Sequence, residues 1–241
     1  SADGNIIANN LGAGIEITAA PATPVQILGN RIGLNASAQP AGNVGAGINV
    51  LNANQSVIGS TALGGANRIA HNGGIGVSIV AGTGNRVSGN SIHSNGGLEL
   101  DLGNGSAADG ANANDNLDVD SGGNTRLNHP ILATVTRAGN QISAAVSFGT
   151  SANLSGLTLE FYRSGRCDNV GGLGVAQTFV FSAVGLTSTA AGVVAPNVSF
   201  ADANPAPTFY SALLTDASGN TSEISPCVAV PLGLLFFDGF D

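Results

Sequence analysis

The stretch Asn67-Arg68-Ile69-Ala70-His71-Asn72-Gly73-Gly74-Ile75-Gly76-Val77 is answered further on by Asn90-Ser91-Ile92-His93-Ser94-Asn95-Gly96-Gly97-Leu98-Glu99-Leu100. Both read Asn-x-Ile-x-x-Asn, then a Gly-bearing turn, then a second apolar piece. Working outward, the same phrase opens at Gly4-Asn5-Ile6-Ile7 and runs to Asn10, and opens again at Gly29-Asn30-Arg31-Ile32 and runs to Asn35. The first Asn of each copy follows its predecessor by 25, 37 and 23 residues. The second pieces are Gly14-Ile15-Glu16-Ile17, Gly47-Ile48-Asn49-Val50, Gly74-Ile75-Gly76-Val77 and Gly97-Leu98-Glu99-Leu100. A third piece precedes the next Asn, at Val25-Gln26-Ile27, Ser56-Val57-Ile58 and Arg86-Val87-Ser88. Three short strands in a turn of about 23 to 25 residues is the arithmetic of a parallel β-helix, too short a period for propeller blades.

Alternation along such strands predicts one inward column of Ile7, Ile32, Ile69 and Ile92 and another of Ile15, Ile48, Ile75 and Leu98. Asn at matching corners tolerates a left-handed backbone and hydrogen-bonds along the stack. Two amide ladders are therefore expected, Asn5-Asn30-Asn67-Asn90 and Asn10-Asn35-Asn72-Asn95. The pattern resembles the right-handed parallel β-helix repeat proteins of the pectate-lyase-like superfamily, particularly secreted bacterial ones, over about residues 1–105. Ile58-Gly59-Ser60-Thr61-Ala62-Leu63-Gly64-Gly65-Ala66-Asn67-Arg68-Ile69 is similar to an insertion recurring in that group and, with Ala36 to Val44, accounts for the long 37-residue turn. The stack starts almost at Ser1 with nothing before Asn5 to cover it. That predicts either further rungs upstream or a second copy against the open end.

Composition agrees with an all-β chain. Most of the 36 Gly and 26 Asn lie at or before residue 128, while Met, Trp and Lys are missing, so helix has little to build on. All seven basic residues are Arg against fifteen acids, giving net charge -8, which argues against nucleic acid and anionic lipid as partners. Charged residues are 9% of the chain and mean hydropathy is +0.24, so a packed core is affordable. No stretch approaches the roughly 18 apolar residues of a membrane helix, and no membrane insertion is expected.

Six acids, Glu99, Asp101, Asp109, Asp115, Asp118 and Asp120, crowd residues 99–120. Asn112, Asn114, Asn116, Asp118 and Asp120 recur at every second position, an oxygen-rich spacing able to curl around Ca2+. With Asp109 and Asp115 they form the candidate metal set of an Asp/Asn-rich seam loop, residues 106–129. The other reading is a solvated turn whose side chains cap their own backbone.

Beyond Pro130, Val, Thr, Phe and Ser alternate. Strands are predicted near 131–137, 141–149, 157–163, 176–184, 193–200, 208–216 and 223–230, suggesting an Ig-like β-sandwich over residues 130–230. Leu157, Leu159 and Phe161 alternate with Thr158, Glu160 and Tyr162, which predicts a half-buried strand. This region resembles the Ig-like module that follows the β-helix in the same secreted proteins. Cys167 and Cys227 are the only cysteines, and neither belongs to a Cys-x-x-Cys pair, so a disulfide is the economical reading. A disulfide implies an oxidising, extracellular compartment. An aromatic tail, residues 231–241, ends the chain.

Carbohydrate chemistry on a β-helix needs paired outward carboxylates. The candidates are Glu16, Glu99 and Asp101, with Glu99 and Asp101 expected to project outward and Glu16 three rungs away. Polygalacturonase motifs, hydrolase elbows and phosphate loops are absent. The expectation is a secreted or cell-surface structural or adhesive module, self-assembling, with a Ca2+-stabilised seam. The alternative is a polysaccharide-binding or polysaccharide-degrading β-helix protein.

Overall fold

Apolar pieces of two or three residues bounded by Gly and Asn cannot form long strands, so the chain turns a corner after each. A computed structural model describes residues 4–18, 23–167, 170–204 and 208–230, and shows an all-β molecule; the aromatic tail at 231–241 lies outside the described residues. The first half contributes β1 (Ile6–Ile7), β2 (Ile15–Ile17), β3 (Gln26–Ile27), β4 (Arg31–Ile32), β5 (Ile48–Val50) and β6 (Val57–Ile58). It continues with β7 (Arg68–Ala70), β8 (Val77–Ile79), β9 (Arg86–Val87), β10 (Ser91–His93) and β11 (Leu100–Leu102). These pair in parallel as three sheets, β1-β4-β7-β10, β2-β5-β8-β11 and β3-β6-β9, an arrangement compatible with a β-helix-like fold.

Register fixes the core. Ile7, Ile32, Ile69 and Ile92 stack as expected. The second column differs from the expectation: Ile15 and Ile48 continue to Val77 and Leu100, not to Ile75 and Leu98. The reason is a constant spacing, since each ladder Asn precedes the strand entry by four residues, Asn10 to Gly14, Asn43 to Gly47, Asn72 to Gly76 and Asn95 to Glu99. The entry is crowded. A Cβ on Gly47 would lie 2.6 Å from the Gly76 carbonyl oxygen and 2.6 Å from the Ile69 side chain. Gly76, not Gly74, is therefore the counterpart of Gly47, and Ile75 stays half-buried outside the column.

The amide ladders hold the corners. Nδ2 of Asn5, Asn30 and Asn67 donates in turn to Oδ1 of Asn30, Asn67 and Asn90, at 3.1, 3.0 and 2.9 Å. The second ladder runs Asn10-Asn43-Asn72-Asn95, with links of 2.7, 2.8 and 2.9 Å, so Asn43 stands where Asn35 was expected. The insertion separates the two asparagines. Asn35 stays at its start and accepts from Ser37 N and Gln39 N, both at 2.9 Å, closing its own turn. A third amide corner, unforeseen, joins Asn85 to Asn124: Asn124 Oδ1 accepts from Asn85 N, and Asn124 Nδ2 donates to the Asn85 carbonyl.

The second half is antiparallel. β12 (Ile131–Ala138) pairs β13 (Gln141–Gly149), which also pairs β16 (Val193–Val194) and β17 (Asn197–Ala201). The other sheet runs β15 (Thr178–Leu186), β14 (Leu157–Ser164), β18 (Thr208–Thr215), β19 (Val228–Val230). Ile142, Val146 and Phe148 of one sheet share a buried cluster with Leu159, Phe161 and Leu214 of the other. Phe181 and Phe200 stack at 5.3 Å within it. Cys167 and Cys227 form a disulfide with their Cα atoms 6.2 Å apart.

β14 is not half-buried. Its second face, with that of β18, lies on the parallel stack, so Glu160 and Tyr162 are 2% and 1% exposed, and Tyr162 and Leu213 belong to the stack's core. Among the described residues no helix is long and apolar enough to cross a membrane.

Candidate functional site

The last turn of a parallel stack ends in strand edges whose N–H groups have no next strand to bond. Buried without acceptors, each would cost about 1–3 kcal/mol. Here the antiparallel half supplies the acceptors one by one. Gly84 N donates to Asn220 Oδ1 at 2.6 Å, Val87 N to Thr221 Oγ1 at 3.0 Å and Leu102 N to Glu223 Oε1 at 3.1 Å. Ile92 N donates to the Ala176 carbonyl at 2.7 Å, and Ala176 N returns the bond to Ile92 O. Gly89 N reaches both Glu160 Oε2 and the Tyr162 hydroxyl oxygen at 2.9 Å.

Glu160 is the centre of this set. Its carboxylate also accepts from Ser88 Oγ at 2.5 Å and from the Tyr162 hydroxyl at 2.5 Å. Burial and the adjacent Glu160 charge push the Tyr162 phenol well above its ordinary pKa, so it stays a hydroxyl donor. Sequence reading missed Glu160, Asn220, Thr221 and Glu223 as contact residues. The available signal was a lone Glu inside the apolar strand β14, where a solvent face would have sufficed.

On the outer side of the β2-β5-β8-β11 sheet, Glu16, Asn49, Ser78 and Asp101 occupy one register column, and Asn49 Nδ2 donates to Glu16 Oε2 at 3.3 Å. A groove of about 500 Å³ runs over this column, lined among others by Asn49, Leu51, Ile75, Ser78, Val80 and Ala107. Glu16 is exposed, but Glu99 and Asp101 do not reach solvent, being 5% and 1% exposed. Asn95 Nδ2 donates to Glu99 Oε2 at 2.5 Å, so Glu99 terminates the second ladder. Asp101 lies under the loop that follows β11 and accepts from Gly110 N at 3.1 Å through Oδ2. Its Oδ1 has no hydrogen-bond partner, nor does Ser78 Oγ beside it in register.

The seven Asp/Asn candidates are spread along the seam. Asp109 pairs with Arg126. Asn112 donates from N and Nδ2 to Glu223 at 2.9 and 3.0 Å. Asn114 exchanges bonds with His129 N and O. Asp115 accepts from Val119 N, and Asp118 accepts from Asn128 N at 2.7 Å. Asn116 is exposed and Asp120 half-buried. Among the described residues, no three His, Cys, Asp or Glu side chains group as a metal site.

Charge is nonetheless concentrated. Burial, with repulsion from Asp115, Asp120 and Asp216, raises Asp118 to about 6. Burial and the Asp101 charge raise Glu223 to about 7, against the pull of the Asn112 and Leu102 N–H groups. Burial raises Asp101 and lowers His129.

No protein-family model matches the chain, and no curated protein matches it in sequence.

Proposed function

We propose that this chain is an extracellular structural module, a short right-handed parallel β-helix of the pectate-lyase-like type whose last rung is terminated by an Ig-like sandwich, working through adhesive or self-associating contacts. The observation that carries this reading is the use made of the buried carboxylates. Glu99 ends an amide ladder, Glu160 takes donors from Ser88, Gly89 and Tyr162, and Glu223 takes the Leu102 and Asn112 N–H groups. Groups that would serve as acids or bases in a glycosidase hold the architecture together instead. The disulfide and the absence of a membrane-crossing helix among the described residues are compatible with an extracellular setting. A calcium-stabilised seam stays in the proposal on the charge of that segment alone, where repulsion from Asp115, Asp120 and Asp216 adds to the burial that raises Asp118, while among the described residues no three carboxylates group around one ion.

Light scattering over a concentration series, with and without EDTA, tests both parts. The expected result is concentration-dependent association above the 23.6 kDa monomer and a chelator-dependent loss of thermal stability. A monomer at every concentration, indifferent to EDTA, would sink self-association and the calcium seam together.

A further inference from the structure

Alternation on β4 and β7 turns Ile32 and Ile69 inward and Arg31 and Arg68 outward, and register sets the two arginines side by side in the column Ile6, Arg31, Arg68, Ser91. Neighbouring strands lie about 4.8 Å apart, and like charges directly opposite each other destabilise a sheet. Residues 5–10, 30–35, 67–72 and 90–95, which build this face, hold no acid. Among the described residues neither arginine is in an ion pair, whereas Arg126, Arg137 and Arg163 all are. Arg31 is held in place, donating from Nη1 to the Ala36 carbonyl at 2.6 Å, and Arg68 is exposed. Arg166 brings a third guanidinium to the edge of the face, where it donates to Ser94 Oγ at 2.6 Å. In a chain of net charge -8, this one side is basic.

The kind of partner follows from what surrounds the charge. Ile6, next to Arg31 in register, is 48% exposed, and Leu11 and Val44, at the corner where the face ends, are exposed as well. A partner that fits must therefore offer anionic groups together with apolar side chains. The chain carries such a surface itself. In the seam loop Leu117 and Val119 are exposed among Asp115, Asp118 and Asp120, Val119 by 75%, and among the described residues none of these three acids is in an ion pair. Asp115 and Asp118 tie the loop to Asn128, just before β12, and it does not meet the arginines of its own chain.

We propose that the outer face of the β1-β4-β7-β10 sheet docks the acidic seam loop of a second copy, with Arg31 and Arg68 facing its acids and Ile6 facing its exposed Leu117 and Val119. This rests on the self-association proposed above and says where it occurs. The contact uses the side of the stack, so it does not depend on what lies against the open end. Face and loop are different surfaces, which makes the contact heterologous. Every docked pair still presents one free face and one free loop, so assembly continues past a dimer. Docking replaces like-charge repulsion within each patch by attraction between patches, an attraction that salt screens.

Sedimentation velocity of the full chain, with EDTA present to keep calcium from the loop, tests this. At about 0.05 M salt the wild type should form species beyond a dimer, and its association constant should fall about tenfold or more at about 0.5 M. Arg31→Glu/Arg68→Glu should be monomeric. So should Asn116→Arg/Asp118→Asn/Asp120→Arg, which reverses the sign of the loop and keeps at 118 an oxygen acceptor for Asn128 N. Mixing the two variants matches each reversed surface with its complement and should restore association. Wild-type association that persists in Arg31→Glu/Arg68→Glu overturns this docking and leaves self-association standing, whereas a wild type monomeric at every concentration and salt overturns both. Folded variants that stay apart when mixed also overturn the docking, as does a monomeric wild type that binds anionic lipid vesicles through Arg31 and Arg68. If either variant fails to fold by tyrosine near-ultraviolet dichroism, the wild-type salt series decides: the expected fall supports the docking, and equal association at both salt concentrations overturns it.

Discussion

Replacing Glu160 by Ala removes the acceptor shared by Ser88 Oγ, Gly89 N and the Tyr162 hydroxyl at a site 2% exposed. Gly89 N keeps the Tyr162 oxygen at 2.9 Å, so two hydroxyl donors are left to find new partners. Each costs about 1–2 kcal/mol when buried, and the lost side-chain volume adds about 1 more. Relief from burying an unpaired carboxylate offsets part of that. The expected net loss is about 3 kcal/mol. Glu160→Gln keeps the shape, and both hydroxyls rotate to serve an amide, so about 1 kcal/mol is expected from the weaker, uncharged bonds. The chain has no Trp and two Tyr, Tyr162 at the seam and Tyr210 inside the antiparallel half, so urea unfolding followed by tyrosine near-ultraviolet dichroism reads the relevant region directly. Glu16→Ala, on an exposed residue of the first rungs, is the control and should stay within about 0.5 kcal/mol of wild type. If Glu160→Ala costs no more than Glu16→Ala, the carboxylate does not hold the two halves together and the reasoning fails.

Three other outcomes are expected. Asn67→Ala breaks the ladder in its middle, removing bonds to Asn30, Asn90 and the Ile27 carbonyl, and should cost about 2–4 kcal/mol, whereas Asn35→Ala loosens one exposed turn and should cost under about 1; urea midpoints compare them. Gly47→Ala places a methyl 2.6 Å from the Gly76 carbonyl oxygen and should lower stability by about 2–3 kcal/mol, while Gly12→Ala, with nothing within 4 Å, should be near neutral in the same assay. Reducing Cys167–Cys227, which spans 60 residues, should remove about 4 kcal/mol on the chain-entropy estimate, read as a drop in Tm with dithiothreitol; an unchanged Tm would mean that the antiparallel half is held without it.

What could be read from the residues was what repeats locally. Asn5, Asn30, Asn67 and Asn90 form their ladder because each precedes a strand at fixed distance, and the disulfide follows from two cysteines without metal-like spacing. The second ladder was misread at Asn35 because the phrase Asn-x-Ile-x-x-Asn closes there, while the insertion carries the stacked amide on to Asn43. Gly74-Ile75 imitates Gly47-Ile48 in composition, and only the close approach of backbones at Gly47 and Gly76 shows which glycine is the match. The burial of Glu160, Glu99 and Asp101 depends on surfaces that arrive from distant parts of the chain. Alternation within one strand carries no information about what lies on its far face.

The ladder bonds all run the same way, from the Nδ2 of one rung to the Oδ1 of the next. Every rung therefore carries a donor on one side and an acceptor on the other, like a brick with matching stud and socket. A duplicated rung fits any joint of such a column without reversing a single amide, and the terminator at Glu160 and Ala176 still meets backbone N–H groups. Length is thereby decoupled from closure. Gene duplication can lengthen this architecture one period at a time, and the same end-piece completes a column of any height.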